Sequence, residues 1–264
     1  MVHVIITGGS SGIGKALARI YLKRGDVVTV IGRSAERLQL AEKSLLGDVS
    51  EATGRVRIAA CDVADEDALQ TVIAESEASF GPCDILITSA GVVHPAIFED
   101  LDSALFSSQI STNLMGTANA VRAVYRGMKL RRRGTILLVS SGAALIGIHG
   151  YTAYCASKSA VAGFAEALRM EAAPYGVGVV IAYPPDTDTP QLAAEIPQRS
   201  RQASLVMQSV RPWTPEAVAR RMIRGLDRGQ PTIYFGLTLN LLGRFGSLVK
   251  PLIYQWFLWR DPER

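Results

Sequence analysis

The sequence predicts a single α/β domain built on a doubly wound, parallel sheet of about seven strands with helices on both faces. Three observations carry this. Short apolar runs recur between helical stretches, and several run without alternation, as strands covered on both faces do. A glycine-rich turn follows the first run at once. The residues able to do chemistry fall after the carboxyl ends of the runs, where such a sheet places its ligand. Nearly half of the 264 residues are hydrophobic, enough for a sizeable core, and no internal repeat or low-complexity linker divides the chain.

The first strand is expected over residues 2–7, and it leaves no room for a signal peptide before it. Thr7-Gly8-Gly9-Ser10-Ser11-Gly12-Ile13-Gly14 then opens a helix over 12–24, carried by Ala16, Leu17, Ile20 and Tyr21. Glycines at 8, 12 and 14 permit a tight turn, backbone approach to a pyrophosphate, and close packing of helix on strand. The helix N-terminus offers free N–H groups and a partial positive charge to phosphates. Strand, loop and helix in that order make a Rossmann-like dinucleotide site. The second strand, 26–31, ends in Gly32-Arg33, where an NAD-binding chain would carry an acid for the ribose 2′-hydroxyl. Arg33 stands there instead and can meet a 2′-phosphate with a charged fork, with Ser10 and Ser11 as added donors. Arg37 reads as a solvated helix cation. The cofactor predicted from these residues is NADPH.

Further helices are expected over 34–46, 65–80, 103–130, 152–173 and 215–228. Further strands are expected over 55–60, 85–89, 135–140 and 177–183, with a last one over 232–235. Thr214-Pro215-Glu216 is a helix start, a capping hydroxyl followed by proline at the first helical position. On the helix over 152–173, Tyr154 and Lys158 lie four apart and so share a face, and Ser141 precedes the tyrosine by thirteen residues. A neighbouring ammonium favours the phenolate and so lowers the tyrosine pKa from roughly 10, as a proton donor to a carbonyl requires. By itself this spacing also suits a solvated helix face; the cofactor loop at the other end of the chain favours the chemical reading.

Other chemistries find little support. Cys61, Cys83 and Cys155 are odd in number and lack metal-ligand spacing, which suits free thiols in a reducing, cytoplasmic compartment. The three histidines show no ligand spacing, and no metal site is expected. The net charge of +4 is modest, and Arg131-Arg132-Arg133 has no interleaved aromatics, so nucleic-acid binding is a poor reading.

These motifs resemble those of the short-chain dehydrogenase/reductase family over residues 2 to about 228. Thr7-Gly8-x-x-x-Gly12-x-Gly14, Ala90-Gly91, Asn113, Ser141 and Tyr154 with Lys158 meet the family pattern. The resemblance implies catalytic roles for Asn113, Ser141, Tyr154 and Lys158. Tyr154 would donate the proton, Lys158 would tune it and bind the nicotinamide ribose, and Ser141, in preference to Ser140, would hold the carbonyl oxygen. Asn113 would anchor a relay water, a role compatible with an amide satisfying backbone in a helix kink. Ile13, Asp62, Val63, Ala90, Gly91, Pro184, Thr187 and Thr189 would join the loop residues in binding NADPH. Two departures stand out: Ser89 where the family carries asparagine, and Pro184-Pro185-Asp186 where it carries Pro-Gly. Serine can still hydrogen-bond locally there, so altered stabilisation of that loop is expected.

The Pro-Pro-Asp segment, the glycine loop and Phe98-Glu99-Asp100-Leu101 resemble the 3-ketodihydrosphingosine reductases, which implies reduction of a long-chain sphingoid ketone. Asp186 and Asp188 then have two open roles, holding the substrate ammonium or forming a turn. Residues 191–211 form either a mobile substrate lid, with Leu192, Ile196, Leu205, Val206 and Met207 along an acyl channel, or a short helix on the core. The expected organisation is a reductase domain over 1–230 and a hydrophobic extension over 231–264. That extension has no apolar run of the roughly 18 residues that cross a membrane. It suits either the membrane interface, on the cytoplasmic face, or a subunit interface. The resemblance further implies a homodimer or homotetramer. The alternatives are reduction of a 3-oxoacyl thioester, a steroid or a retinoid, or a non-enzymatic NADPH sensor.

Overall fold

The structure, a computed structural model, describes residues 1–207 and 211–260, without the side chains at 50, 206, 257, 258 and 260. Seven strands form one sheet: β1 (His3–Thr7), β2 (Val27–Gly32), β3 (Val56–Ala60), β4 (Ile85–Thr88), β5 (Gly134–Val139), β6 (Val177–Tyr183) and β7 (Thr232–Tyr234). Their order is β3-β2-β1-β4-β5-β6-β7, every pair parallel. Successive residues of a strand face opposite sides, so the apolar runs supply two cores. Ile5, Leu86, Ile136 and Leu138 meet one layer of helices; Val4, Ile6, Val28, Ile87 and Leu137 meet the other.

The first layer contains α3 (Glu66–Phe80), α5 (Gly116–Arg131) and α6 (Thr152–Ala172), through Leu69, Val124 and Val161 among others. The second contains α1 (Gly12–Lys23), α2 (Ala35–Asp48) and α9 (Pro215–Asp227), through Leu17, Leu38 and Met222. The expected start of α9 is present: Thr214 accepts from the Ala217 N–H at 3.2 Å, with Pro215 in the first turn.

One expectation is corrected. The helix expected over 103–130 is α4 (Ser103–Ile110) and α5, separated by a π-turn over Ser111–Met115. A π-turn leaves almost no trace in apolar spacing, since it adds only one residue to a turn. Of the stretch over 191–211, the residues described up to Met207 lie among α7 (Pro190–Glu195), a 3₁₀ turn (Ile196–Gln198) and α8 (Arg201–Met207), the helical one of its two expected forms. The last strand, expected over 232–235, is present as β7, which pairs with β6 in register with Ile181, Ala182 and Tyr183. After β7 comes α10 (Gly236–Arg260), with Pro251 inside it and non-helical angles at Phe245.

Candidate active site

The strand order reverses between β1 and β4, and a cleft of about 1060 Å³ opens at the carboxyl ends of the strands around that point. At one end lie Gly8, Ser10, Ser11, Gly12, Ile13 and Arg33. Gly8 adopts φ +69°, and a Cβ there would stand 2.6 Å from the Ala90 backbone, so the turn is pressed against the loop after β4. Gly14 lies beneath the turn, outside the cleft lining, and lets α1 pack against the Gly8 carbonyl. The first turn of α1 carries no acidic residue, which leaves its positive end uncompensated. Arg33 and Arg37 are both exposed and both line the cleft, and neither guanidinium has a partner among the described residues. Arg37 is thus a second cation at the site, beyond the solvated role expected of it. A glycine-rich cradle, a bare helix end and two free cations fit a dinucleotide with an added phosphate.

The neighbouring wall is made by Cys61 and Val63. Asp62 does not line it: its carboxylate turns back to accept from the Ala64 N–H at 3.0 Å. The loop carrying Ala90 and Gly91 is held by Thr7, whose carbonyl accepts from Ser89 N–H and whose Oγ1 accepts from Ala90 N–H. Among the described residues the Ser89 side chain makes no hydrogen bond there, and the Thr7 hydroxyl supplies the stabilisation.

Tyr154 and Lys158 project from α6 one turn apart. Lys158 is buried, its Nζ lies 5.8 Å from the Tyr154 ring centroid, and it donates to the Val139 carbonyl at 3.1 Å. Burial pulls its pKa down to about 8. Burial likewise pushes Tyr154 up; a hydrogen bond with Ser141 acts in the opposite sense, and the charges of Glu195, Cys155 and Asp186 push it further up. The expected lowering of Tyr154 by Lys158 is therefore not what the structure resolves. Removal from water is the leading cause for both groups, and the ammonium points to Val139.

Ser141 caps a 3₁₀ turn (Gly142–Ala144), accepting from the Ala143 N–H at 3.1 Å. Ser140 is committed elsewhere, donating to the Lys158 carbonyl at 2.9 Å. Asn113 sits in the π-turn, fully buried and behind the cleft wall. Its Oδ1 accepts from Val92 N–H at 2.8 Å, and its Nδ2 donates to the Val92 carbonyl and to Ser157 Oγ, each at 2.9 Å. That is the backbone-satisfying role in a helix kink. A Cβ at Gly91 would come within 3.2 Å of Asn113 Oδ1 and 3.3 Å of Lys158 Nζ, so the glycine lets the loop pass over both.

Pro184, Thr187 and Thr189 line the opposite wall. Pro184 accepts from Gly142 N–H, and Thr189 caps α7 while its methyl covers Gly12. Of the expected channel residues, Leu192 and Met207 line the cleft, whereas Ile196 and Leu205 are exposed; the Val206 side chain lies outside the description. Leu237, Leu239 and Leu242 of α10 extend the apolar lining, a contribution that no local pattern marked.

The sequence reading missed Tyr151, Glu195 and Arg199. Tyr151 donates to Glu195 Oε1 at 2.7 Å, and Arg199 donates to the same oxygen through Nε and Nη2 and to Asp186 Oδ2 through Nη1 at 2.7 Å. The i,i+4 spacing of Glu195 and Arg199 was the available signal. Asp186 faces the cleft already paired, and Asp188 does not line it; the backbone of Asp188 bonds to Trp213.

The family model of short chain dehydrogenase matches residues 2–200. The 3-ketodihydrosphingosine reductase of Bos taurus is 39% identical over 228 residues, covering 86% of this chain and 69% of its own. The 3-dehydrosphinganine reductase of Danio rerio is 38% identical over 235 residues, 89% of this chain and 71% of its own. Among solved structures, a variant of actinorhodin polyketide ketoreductase with NADPH has a TM-score of 0.81 at 26% identity, covering 92% of this chain and 97% of that one.

Proposed function

The chain belongs to the short chain dehydrogenase family, and from that premise we propose that it reduces the C3 ketone of 3-ketodihydrosphingosine to dihydrosphingosine with NADPH. The observation that carries the chemistry is the placement of Ser141, Tyr154 and Lys158 on one wall of the cleft, with Lys158 buried one turn beyond Tyr154 on α6. NADPH, when bound, supplies the hydride. Gly8, Ser10, Ser11, Gly12 and Ile13 are placed to hold its phosphates, and Arg33 with Arg37 its 2′-phosphate. Ser141 holds the ketone oxygen, and Tyr154 gives its phenolic proton to that oxygen as negative charge develops there. Its raised pKa keeps the proton in place until that moment. Lys158 positions the tyrosine's side of the cleft, and Asn113 keeps the Val92 backbone and the π-turn in place behind it. The alkyl chain has an apolar wall of Ile146, Ile148, Leu192, Leu237 and Leu242.

The test is NADPH oxidation by the purified protein with 3-ketodihydrosphingosine, beside a 3-oxoacyl thioester and with NADH as control. The expected result is turnover of the sphingoid ketone with NADPH, and in Arg33→Ala a KM for NADPH raised about tenfold with little change for NADH. Turnover of the thioester alone would discard the sphingoid substrate.

The exposed side chains of α10 support a membrane contact. Leu237, Leu241, Leu248, Leu252 and Trp259 face outward, with exposed Arg244 and half-buried Lys250 between them in sequence, and the same helix lines the cleft. No helix among the described residues is long and apolar enough to cross a membrane. Sedimentation with anionic phospholipid vesicles, reduced when Leu248, Leu252 and Trp259 are replaced by serine, is the expected result; no sedimentation of the intact protein would remove the proposal.

A further inference from the structure

Asp186 and Glu195 line the cleft, and the guanidinium between them is the only cation paired with either among the described residues. All three are largely removed from water: the Arg199 side chain is 3% exposed, Glu195 9% and Asp186 19%. Tyr151, also buried, adds a neutral donor and no charge. Two carboxylates against one guanidinium leave one negative charge without a partner, an expensive arrangement in a sheltered place. The other nearby cations do not supply it. Lys158 donates to the Val139 carbonyl, and Arg211, exposed at the cleft rim, makes no ion pair with either carboxylate among the described residues.

The position of the cluster is as informative as its charge. The Tyr151 ring meets the Tyr154 ring edge-on at 6.3 Å, and the fields of both carboxylates reach the Tyr154 hydroxyl. The unbalanced charge therefore lies beside the group that meets the ketone oxygen. An amine on the carbon next to the ketone must sit in that neighbourhood.

We propose that Glu195 and Asp186, held apart by Arg199, form the ammonium subsite of this cleft, and that it selects ketones carrying a protonated amine on the adjacent carbon. The inference rests on the sphingoid reading above and deepens it, since it assigns that selectivity to residues. It revises the role open to Asp186 in the sequence: the aspartate does not act alone, and Glu195 completes the site. Anchoring the ammonium fixes rotation about the bond to the carbonyl carbon, and so sets which face of the ketone is presented to the hydride donor.

The experiment compares kcat/KM for 3-ketodihydrosphingosine and for the same ketone with hydrogen in place of the amino group, in the wild type, Glu195→Gln and Glu195→Asp. The expected result is a wild-type preference for the amino ketone and a fall in that preference of about 10- to 100-fold in Glu195→Gln, as loss of a charge-assisted hydrogen bond implies. Glu195→Asp, which keeps the charge, restores part of the preference. NADPH binding, followed by its fluorescence, reports whether each variant is folded, and Asp186→Asn serves in place of any that is not. Equal losses on both ketones, or an unchanged preference, would overturn the subsite while leaving the sphingoid reading intact. A wild type that reduces neither ketone but does reduce a 3-oxoacyl thioester would overturn that reading, and the subsite with it.

Discussion

Tyr154→Phe lowers kcat by about 10²–10⁴-fold while the affinity for NADPH stays within about threefold of the wild type. The substitution removes one oxygen and keeps the ring, so its edge-on contact with Tyr151 survives. What is lost is the proton source for the ketone oxygen, the phenol beside Ser141 on the cleft wall. The residues proposed to hold the phosphates lie at the other end of the cleft, on the loop before α1 and after β2, and are not touched by the change. Stopped-flow or steady-state assays beside a fluorescence titration of NADPH separate the two quantities. Retained turnover would remove Tyr154 as the acid, and parallel loss of NADPH binding would show that it acts through the fold.

Gly8→Ala abolishes measurable NADPH binding and lowers the melting temperature by roughly 5–10 °C. Two effects add. At φ +69° an L-residue pays about 1–2 kcal/mol for the left-handed conformation. The new methyl would also stand 2.6 Å from the Ala90 backbone, a contact that no rotamer relieves, so the turn or the loop after β4 must move. The Gly8 N–H donates to the Ile31 carbonyl at 2.8 Å, so displacing the turn also disturbs the end of β2. Calorimetry and a binding titration check both halves; unchanged NADPH affinity would contradict the close approach of the turn.

Much of this arrangement was legible in the chain because it depends on local patterns. Continuous apolar runs marked buried strands, Thr214-Pro215 marked the start of α9, and the glycines marked a turn that had to be tight. Ser141 was preferred to Ser140 on spacing from Tyr154, and in the structure Ser140 is occupied by the Lys158 carbonyl. Less legible were features in which one backbone step or one distant partner decides the outcome. The π-turn at Asn113 shifts the helix by a single residue, too little to alter its apolar face. Asp62 reads as a ligand contact by position, while the hydrogen bond its carboxylate accepts from the Ala64 N–H of its own turn is seen only in the structure.

The sequence by itself determined the sheet class, the dinucleotide loop and the Tyr154–Lys158 pair, since each is written in residues close together along the chain and obeys strand or helix geometry. Tertiary structure alone decided the direction in which that pair's pKa values shift and which charges line the cleft. Burial, not their mutual attraction, sets the direction in which Tyr154 and Lys158 shift. Arg199 reaches Asp186 across thirteen residues, and Tyr151 reaches Glu195 across forty-four. Desolvation and long-range pairing depend on what the folded chain brings together, and no local spacing encodes them.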